Sequence, residues 1–185
     1  MRRDIVTSLR AIVLLTLLLG LAYPLAVTAV SQVVFPGRAD GSARLIGRDY
    51  KQDPRYFQSR PSTATDYNAA ASAFTNLGPN SKDARDTFRK SLAAYLTLER
   101  PYDRGLTAAQ VPVDAVTSSA SGIDPHISPA NAAIQAHRVA TVRHLPLARV
   151  KQLITDNTDG RSLGVLGEPG VNVRELNRAL DRERR

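Results

Sequence analysis

The sequence predicts an α/β (α+β) extracytoplasmic domain anchored by one N-terminal transmembrane α-helix. Three observations lead there. The run from Ala11 to Gly37 carries no charged residue. Several later segments place apolar residues at spacings of three and four behind helix-capping residues. Between them lie short alternating segments of strand length.

Taken as a helix, residues 11–35 reach ~38 Å against a hydrocarbon core of about 30 Å, enough to span a bilayer with tilt. Pro24 sits mid-span, removes one backbone donor and predicts a kink there. The rival reading is a cleaved signal peptide, with a basic Met1-Arg2-Arg3 start and Val27-Thr28-Ala29 as cleavage site. The apolar run continues through Val30, Val33, Val34 and Phe35, longer than such segments normally are, which favours an uncleaved anchor. Arg2, Arg3 and Arg10 precede the span, and Arg38, Arg44, Arg48 and Lys51 follow it, so charge alone does not orient it. A large following domain translocates largely regardless of charge. The reading is therefore residues 1–10 as a cytoplasmic N-terminus, 11–35 as the transmembrane helix and 36–185 as the extracytoplasmic domain, in a single-pass protein of the cell membrane.

The 148 residues from Arg38 to Arg185 suffice for one domain with a core. The absence of Cys excludes disulfides, thiolate catalysis and Cys-based zinc sites. The formal net charge is +8, and 21 of the 25 basic residues are Arg. The cations are interleaved with acids, as in Lys82-Asp83-Ala84-Arg85-Asp86, and no nucleic-acid motif is present, so the reading is a solvated mixed-charge face and no nucleic-acid partner.

Ala43 to Ile46 reads as a short strand ending at Gly47. Asp49 to Ser81 shows no sustained period, but its Tyr50, Tyr56, Phe57, Tyr67 and Phe74 predict a long loop packed down on the domain rather than disorder. Asn80 or Ser81 caps a helix with Asp83 in its first turn; Ala84, Phe88, Leu92 and Tyr95 or Leu96 share one face, and Pro101 ends it. Val111 to Val116 alternates and reads as a strand. Ser128 caps the next helix, with Pro129 at its first position, running to about Arg143. Pro146 opens another, striped by Leu147, Val150, Leu153 and Ile154, until a turn at Asn157 to Gly160. Leu163 to Leu166 reads as a further strand. Asn172-Val-Arg-Glu175 has capping-box spacing and starts a last helix carrying Leu176 and Leu180.

The stretch Ser119-Ala-Ser-Gly-Ile-Asp-Pro-His-Ile-Ser-Pro129 concentrates hydroxyls, a carboxylate and an imidazole in a chain with three His. An exported hydrolase using Ser121, Asp124 and His126 is one reading, because sequence distance does not limit triad geometry. No Gly-x-Ser-x-Gly elbow surrounds any serine, however. The structural alternative has Asp124 folding back on backbone N–H groups while Ser128 caps the helix. His126, His137 and His144 lack metal-ligand spacing, and Gly164-Val-Leu-Gly167 lacks the Lys and Ser/Thr of a phosphate loop.

An ordered set of blocks resembles the C subunit of the bacterial Kdp potassium-transporting P-type ATPase over nearly the whole chain. The blocks are Tyr23-Pro24, Leu45-Ile-Gly47, Tyr56-Phe-Gln-Ser-Arg-Pro-Ser62, Tyr67-Asn68, Asn76-Leu-Gly-Pro-Asn80, Val111-Pro112, Ala120-Ser-Gly-Ile-Asp-Pro-His-Ile-Ser128, Gln135-Ala-His-Arg-Val-Ala140 and Val171-Asn-Val-Arg-Glu-Leu-Asn177. Ala73-Phe74-Thr75 departs from a common Gly-Gly-Ser, and Ile123 from the usual Leu. The resemblance marks Arg60, Pro61, Asn68, Asn76, Gly78, Gly122, Asp124, His126, Arg138, Asn172 and Asn177 as fold or partner positions.

The resemblance implies a subunit without a catalytic centre. It would assemble in the membrane lipid with a channel-like potassium-binding subunit, an ATP-hydrolysing P-type subunit and a small accessory peptide. It would bind no cofactor independently, ATP entering through the hydrolytic partner, and would stabilise the complex and act as a catalytic chaperone raising that partner's affinity for ATP. The glutamine matching Gln135 is the implied nucleotide contact. A helix residue bonding neighbouring backbone is the simpler alternative for Gln135 if the domain lies outside. Purely structural anchoring is the remaining reading.

Overall fold

The computed structural model describes residues 2–34, 45–63, 67–73 and 75–183. It separates into two compact units, Met1–Ala43 and Arg44–Arg185.

The first unit is helical from Arg2 to Val34. Helix α1 (Arg2–Leu17) and helix α2 (Tyr23–Val34) are joined by a π-helical turn, Leu18–Ala22, in which the Tyr23 N–H reaches back five residues to the Leu18 carbonyl. Pro24 has no N–H to give the ladder, and the widened turn directly before it is the local adjustment that absorbs the proline. Helicity thus extends back through residues 2–10, beyond the apolar run, while Phe35 lies outside the described residues. Large apolar side chains such as Leu14, Leu19 and Leu25 stand exposed all along the helix, and none of its most apolar stretch is buried against protein. In length and composition it suits a bilayer, where lipid covers such a surface.

The second unit is mixed. Helices α3 (Lys82–Glu99), α4 (Pro129–Arg143), α5 (Leu147–Asp156) and α6 (Val173–Arg182) accompany a small sheet of β1 (His126–Ile127), β2 (Thr158–Asp159) and β3 (Gly170–Asn172). The sheet order is β1-β3-β2 and both pairings are antiparallel, with Ile127 and Thr158 flanking Val171. The domain is therefore α+β.

The caps form as their residue types dictate. The Ser81 hydroxyl accepts from the Ala84 N–H at 3.3 Å, Ser128 from Asn131 at 3.1 Å with Pro129 at the first helical position, and the Asn172 side chain from Glu175 at 3.1 Å. Along α3 the expected face is only partly covered: Ala84 and Tyr95 are buried, but Phe88 remains 44 % exposed. One core joins Phe57, Ile127, Ala132, Ala136, Ala140 and Val139 of α4, Val150, Leu153 and Ile154 of α5, Val171, Val173, Leu176 and Leu180. A second, smaller cluster gathers Tyr95, Leu106 and Ala115.

The expected strands are corrected. Val111 to Val116 is not extended. Pro112 starts a 3₁₀ turn, Val113–Ala115, in which the Ala115 and Val116 N–H groups bond back to the Pro112 and Val113 carbonyls, and Ala115 packs beside Tyr95. Leu163 to Leu166 is a protruding loop closed by a single bridge between Ser162 and Leu166, and positive φ at Leu163 (54°) and Gly164 (78°) is incompatible with a strand. Of Ala43 to Ile46, residues 43 and 44 lie outside the described residues, while Leu45 and Ile46 belong to no strand. The actual strands are short pieces in what read as connections, His126–Ile127 and Thr158–Asp159, together with Gly170–Asn172.

The expectation of a packed-down loop from Asp49 to Ser81 holds for its first half only, since every described residue from 68 to 80 is exposed. Phe57 is fully buried, Tyr67 nearly so, and Tyr50 stacks on Tyr56 with ring centroids 5.5 Å apart; Phe74 lies outside the described residues. At Gly47 a side chain has no room: a Cβ would fall 2.6 Å from the Tyr67 ring and 2.8 Å from the Asp124 carbonyl oxygen.

Candidate functional site

A buried polar clamp is built on the α4 face carrying Asn131, Gln135 and Arg138, at spacings of four and three, and it extends to Arg143. These polar positions alternate with Ala132, Ala136, Val139 and Ala140, so the helix presents hydrogen-bonding groups to a packed interior. Against them α3 sets Tyr95 and Glu99, one turn apart. The Tyr95 hydroxyl donates to Asn131 Oδ1 at 2.9 Å, Gln135 Nε2 donates to the same oxygen at 2.9 Å, and Arg138 donates to Gln135 Oε1 at 3.0 Å. Arg138 Nε then reaches both Glu99 oxygens, at 3.0 and 3.1 Å. Glu99 and Arg138 are 1 % and 0 % exposed. Burial pushes the Glu99 carboxyl up, against the pull of Arg138, and burial raises the Tyr95 phenol well above its ordinary value.

The clamp explains how a segment without regular structure is held. Five consecutive carbonyls are taken by side chains: Pro54 and Tyr56 by Arg138 at 2.6 and 2.8 Å, Arg55 by Arg143 at 2.6 Å, Phe57 by Asn177 at 2.9 Å and Gln58 by Gln135 at 3.2 Å. Asn177 Oδ1 also accepts the Phe57 N–H, and Gln135 Oε1 the Gln58 N–H. Each amide thus imitates a neighbouring strand, supplying one donor and one acceptor to the backbone. Gln135 is 1 % exposed and its oxygen and nitrogen are each engaged twice within the domain.

A second constellation lies at the β1 entrance. Asp124 Oδ1 accepts the His126 backbone N–H at 2.9 Å, the fold-back expected of an Asp before Pro. The His126 ring sits between two carboxylates, Nδ1 3.3 Å from Asp124 and Nε2 3.1 Å from Asp159. Arg60 approaches Asp124 at 3.6 Å and donates to the Thr117 and Ser118 carbonyls. Gly122 takes φ 71° and its carbonyl receives the Ser62 hydroxyl. The Ser121 hydroxyl accepts the Ile123 N–H at 3.2 Å and meets Ser119 Oγ at 3.4 Å. Both ring nitrogens of His126 therefore face carboxylates and neither faces Ser121, so these three residues do not form a hydrolase relay.

Two acceptors facing two ring nitrogens favour the imidazolium. The Asp124 hydrogen bond, then Asp159, raises the His126 pKa against a burial penalty. At Asp124 burial pushes upward, but the His126 hydrogen bonds and Arg60 hold the carboxyl below its ordinary value. A raised folded-state pKa gives stability that is complete below the unfolded value, near 6.5, and is lost as pH rises through the folded one. The thermal midpoint of the full-length protein in detergent is expected to fall as pH is taken upward from about 6.5, and His126→Gln to remove that slope. An unchanged slope in the variant would assign it elsewhere.

The structure brings Gln135, Arg138 and Asn177 into the clamp and Arg60, Gly122, Asp124 and His126 to the β1 entrance, where Asn172 pairs with His126 in the sheet. Pro61 lines an adjacent groove of about 470 Å³ with Arg60 and Tyr67. Asn68 caps the short turn Ala69–Ala71, while Asn76 and Gly78 lie exposed and apart. Sequence reading missed Glu99, Asn131, Arg143 and Asp114, the last accepting from the Ser128 N–H at 2.8 Å, its hydroxyl at 2.7 Å and Asn131 at 3.0 Å. The available signal was the Asn131, Gln135, Arg138 stripe, whose period is that of a buried face.

Comparison with known proteins bears on what this scaffold belongs to. The family described as "KdpC: K+-transporting ATPase, c chain" matches residues 5–182. The chain is 49 % identical to the potassium-transporting ATPase KdpC subunit of Polaromonas naphthalenivorans, covering 90 % of this chain and 88 % of the relative. It is 43 % identical to that of Bradyrhizobium diazoefficiens, over 98 % of both, and 42 % identical to that of Mycobacterium bovis, over 98 % of this chain and all of the relative.

Proposed function

The chain belongs to the KdpC family, the c chain of K+-transporting ATPase, and from that premise we propose that it assembles and stabilises an ATP-driven potassium importer without chemistry of its own. Its anchor crosses the membrane once, with the N-terminus cytoplasmic and the α+β domain extracytoplasmic. Its partners are a channel-like potassium-binding subunit, an ATP-hydrolysing P-type subunit and a small accessory peptide. ATP is bound through the hydrolytic partner, whose affinity this subunit raises as a catalytic chaperone.

One contrast carries the reading. The polar side chains of the clamp and of the β1 entrance are engaged within the domain, while one loop presents apolar side chains outward. Leu163, Val165 and Leu166 are 90, 71 and 59 % exposed, on a loop whose base is closed by Arg161 donating to Glu168 at 2.8 and 3.0 Å. A braced loop with an apolar tip suits a protein neighbour, since burying a Leu is worth about 1.5–3 kcal/mol. Gln135 contributes to the chaperone effect by fixing the 54–58 segment, because its hydrogen-bonding groups are already occupied there.

The experiment is to replace Leu163 and Leu166 by Asp and purify the complex from membranes. The exposed positions leave the fold intact, so the thermal midpoint stays put. Recovery of the ATPase partners is expected to fall about tenfold or more, and the residual complex to need more ATP for half-maximal potassium-dependent hydrolysis. Undiminished recovery with an unchanged ATP dependence would overturn the proposal.

A further inference from the structure

A groove of about 460 Å³ opens beside the stacked Tyr50 and Tyr56 rings, away from the clamp's buried interior, and its lining includes Arg48, Lys51, Arg174 and Arg178. No carboxylate lies within ion-pair distance of any of these four cations among the described residues. Two of the three acids of the same groove are paired with other arginines. Asp53 is clasped by Arg55 at 2.6 to 3.1 Å, and that hydrogen bonding lowers its pKa to about 2. Asp181 accepts Arg143 at 2.9 Å. Asp49 accepts the Lys51 backbone N–H at 2.7 Å.

Two features work against local stability and yet build this site. Arg174 and Arg178 stand one helical turn apart on α6, a like-charge spacing that disfavours the helix. Lys51 and Gln52 both adopt left-handed backbone, with φ of 52° and 55°, at the rim. The left-handed turn makes Lys51 part of a groove lining that already holds arginines. Guanidinium forks match the paired oxygens of a phosphate, and an ammonium adds charge without a fixed direction.

The chain itself points to the source of phosphate. It carries an apolar helix of membrane length, and Arg48 follows the last described residue of that helix, Val34, by only 14 positions in sequence. The chain that carries the groove thus also carries a helix suited to a bilayer, and at a lipid surface clustered Lys and Arg select anionic headgroups. We propose that the groove lined by Arg48, Lys51, Arg174 and Arg178 binds the headgroup phosphate of an anionic phospholipid.

The test uses the full-length chain in an uncharged detergent, titrated with dioctanoyl phosphatidylglycerol, dioctanoyl phosphatidylcholine and glycerol 3-phosphate. Phosphatidylglycerol is expected to bind at least tenfold more tightly than either alternative, and to weaken with added salt. Lys51→Ala with Arg174→Ala and Arg178→Ala should weaken it at least tenfold, with the circular dichroism spectrum retained. The single reversal Arg178→Glu, a milder change to the fold, should weaken it in the same direction. Equal affinity in the variants, or equal binding of phosphatidylcholine, would overturn the site. Equally tight glycerol 3-phosphate would make the source a free phosphate rather than lipid. Loss of the ATPase partners on purification, with phosphatidylglycerol affinity untouched, would assign the groove to an acidic protein segment instead.

Discussion

Arg138→Ala is expected to destabilise the domain by about 3–5 kcal/mol, the range for removing one partner from a buried ion pair. The substitution strands Glu99, which is 1 % exposed and bonded through both oxygens to Arg138. It also releases the Pro54 and Tyr56 carbonyls, although the latter keeps a hydrogen bond from the Gln58 side chain at 3.0 Å. Denaturant unfolding of the full-length protein, followed by circular dichroism of the domain, measures the loss. The double substitution Glu99→Gln with Arg138→Met separates charge from packing. Because it leaves no uncompensated buried charge, it is expected to cost less than Arg138→Ala alone. A single variant within about 1 kcal/mol of the parent would refute the clamp as the element that holds the segment.

The clamp bears on function through the two stretches that flank the segment it grips. Residues 54–58 are continuous with the strained turn at Lys51 and Gln52 on one side and with Arg60, which reaches Asp124, on the other. A domain whose irregular chain is pinned at five successive carbonyls presents its loops in a fixed geometry without needing a large sheet. Such fixity favours the assembly role proposed above, since ordering its own loops on assembly would subtract from the association free energy.

The division between legible and illegible features of the sequence is physical. Local chemistry was legible. Ser81, Ser128 with Pro129, and Asn172 each cap the helix expected of them, because a cap is decided within four residues. The stripe of Val150, Leu153 and Ile154 is buried as its period requires. The strands were not legible, because each pairing is two or three residues long and depends on Val171 lying between Ile127 and Thr158, a choice made by tertiary contact. Val113 and Val165 misled for the opposite reason: their β-branched side chains suit strands, but Pro112 and the positive φ of Leu163 and Gly164 set the backbone. Gln135 and Arg138 were picked out through the family blocks, whereas Glu99 was not, since a lone acid at the end of a helix reads as solvated. Only the fold brings it within 3.0 Å of the cation that satisfies it, 39 residues away in sequence.

Phe57→Ala is expected to rival the arginine substitution, at about 3–5 kcal/mol, for a different reason. The ring is fully buried in the core that holds Ile127, Ala132, Ala136, Ala140, Val171 and Leu176, and it is the one side chain of the 54–58 segment there. Its own backbone N–H and carbonyl are both taken by Asn177 at 2.9 Å. Truncation leaves a cavity where the segment enters the core, and the Asn177 contacts hold only while the segment stays seated. The thermal midpoint of the full-length protein should drop by about 10 °C or more. Phe57→Leu, which keeps most of the volume, should cost less than about 1.5 kcal/mol. If the segment is instead held by its polar contacts alone, the alanine and leucine variants will melt together. If the aromatic anchor matters as the packing indicates, they separate. Recovery of the ATPase partners should then track the order of the midpoints, parent above leucine above alanine, because a domain whose 54–58 segment is unseated no longer fixes its outward surfaces.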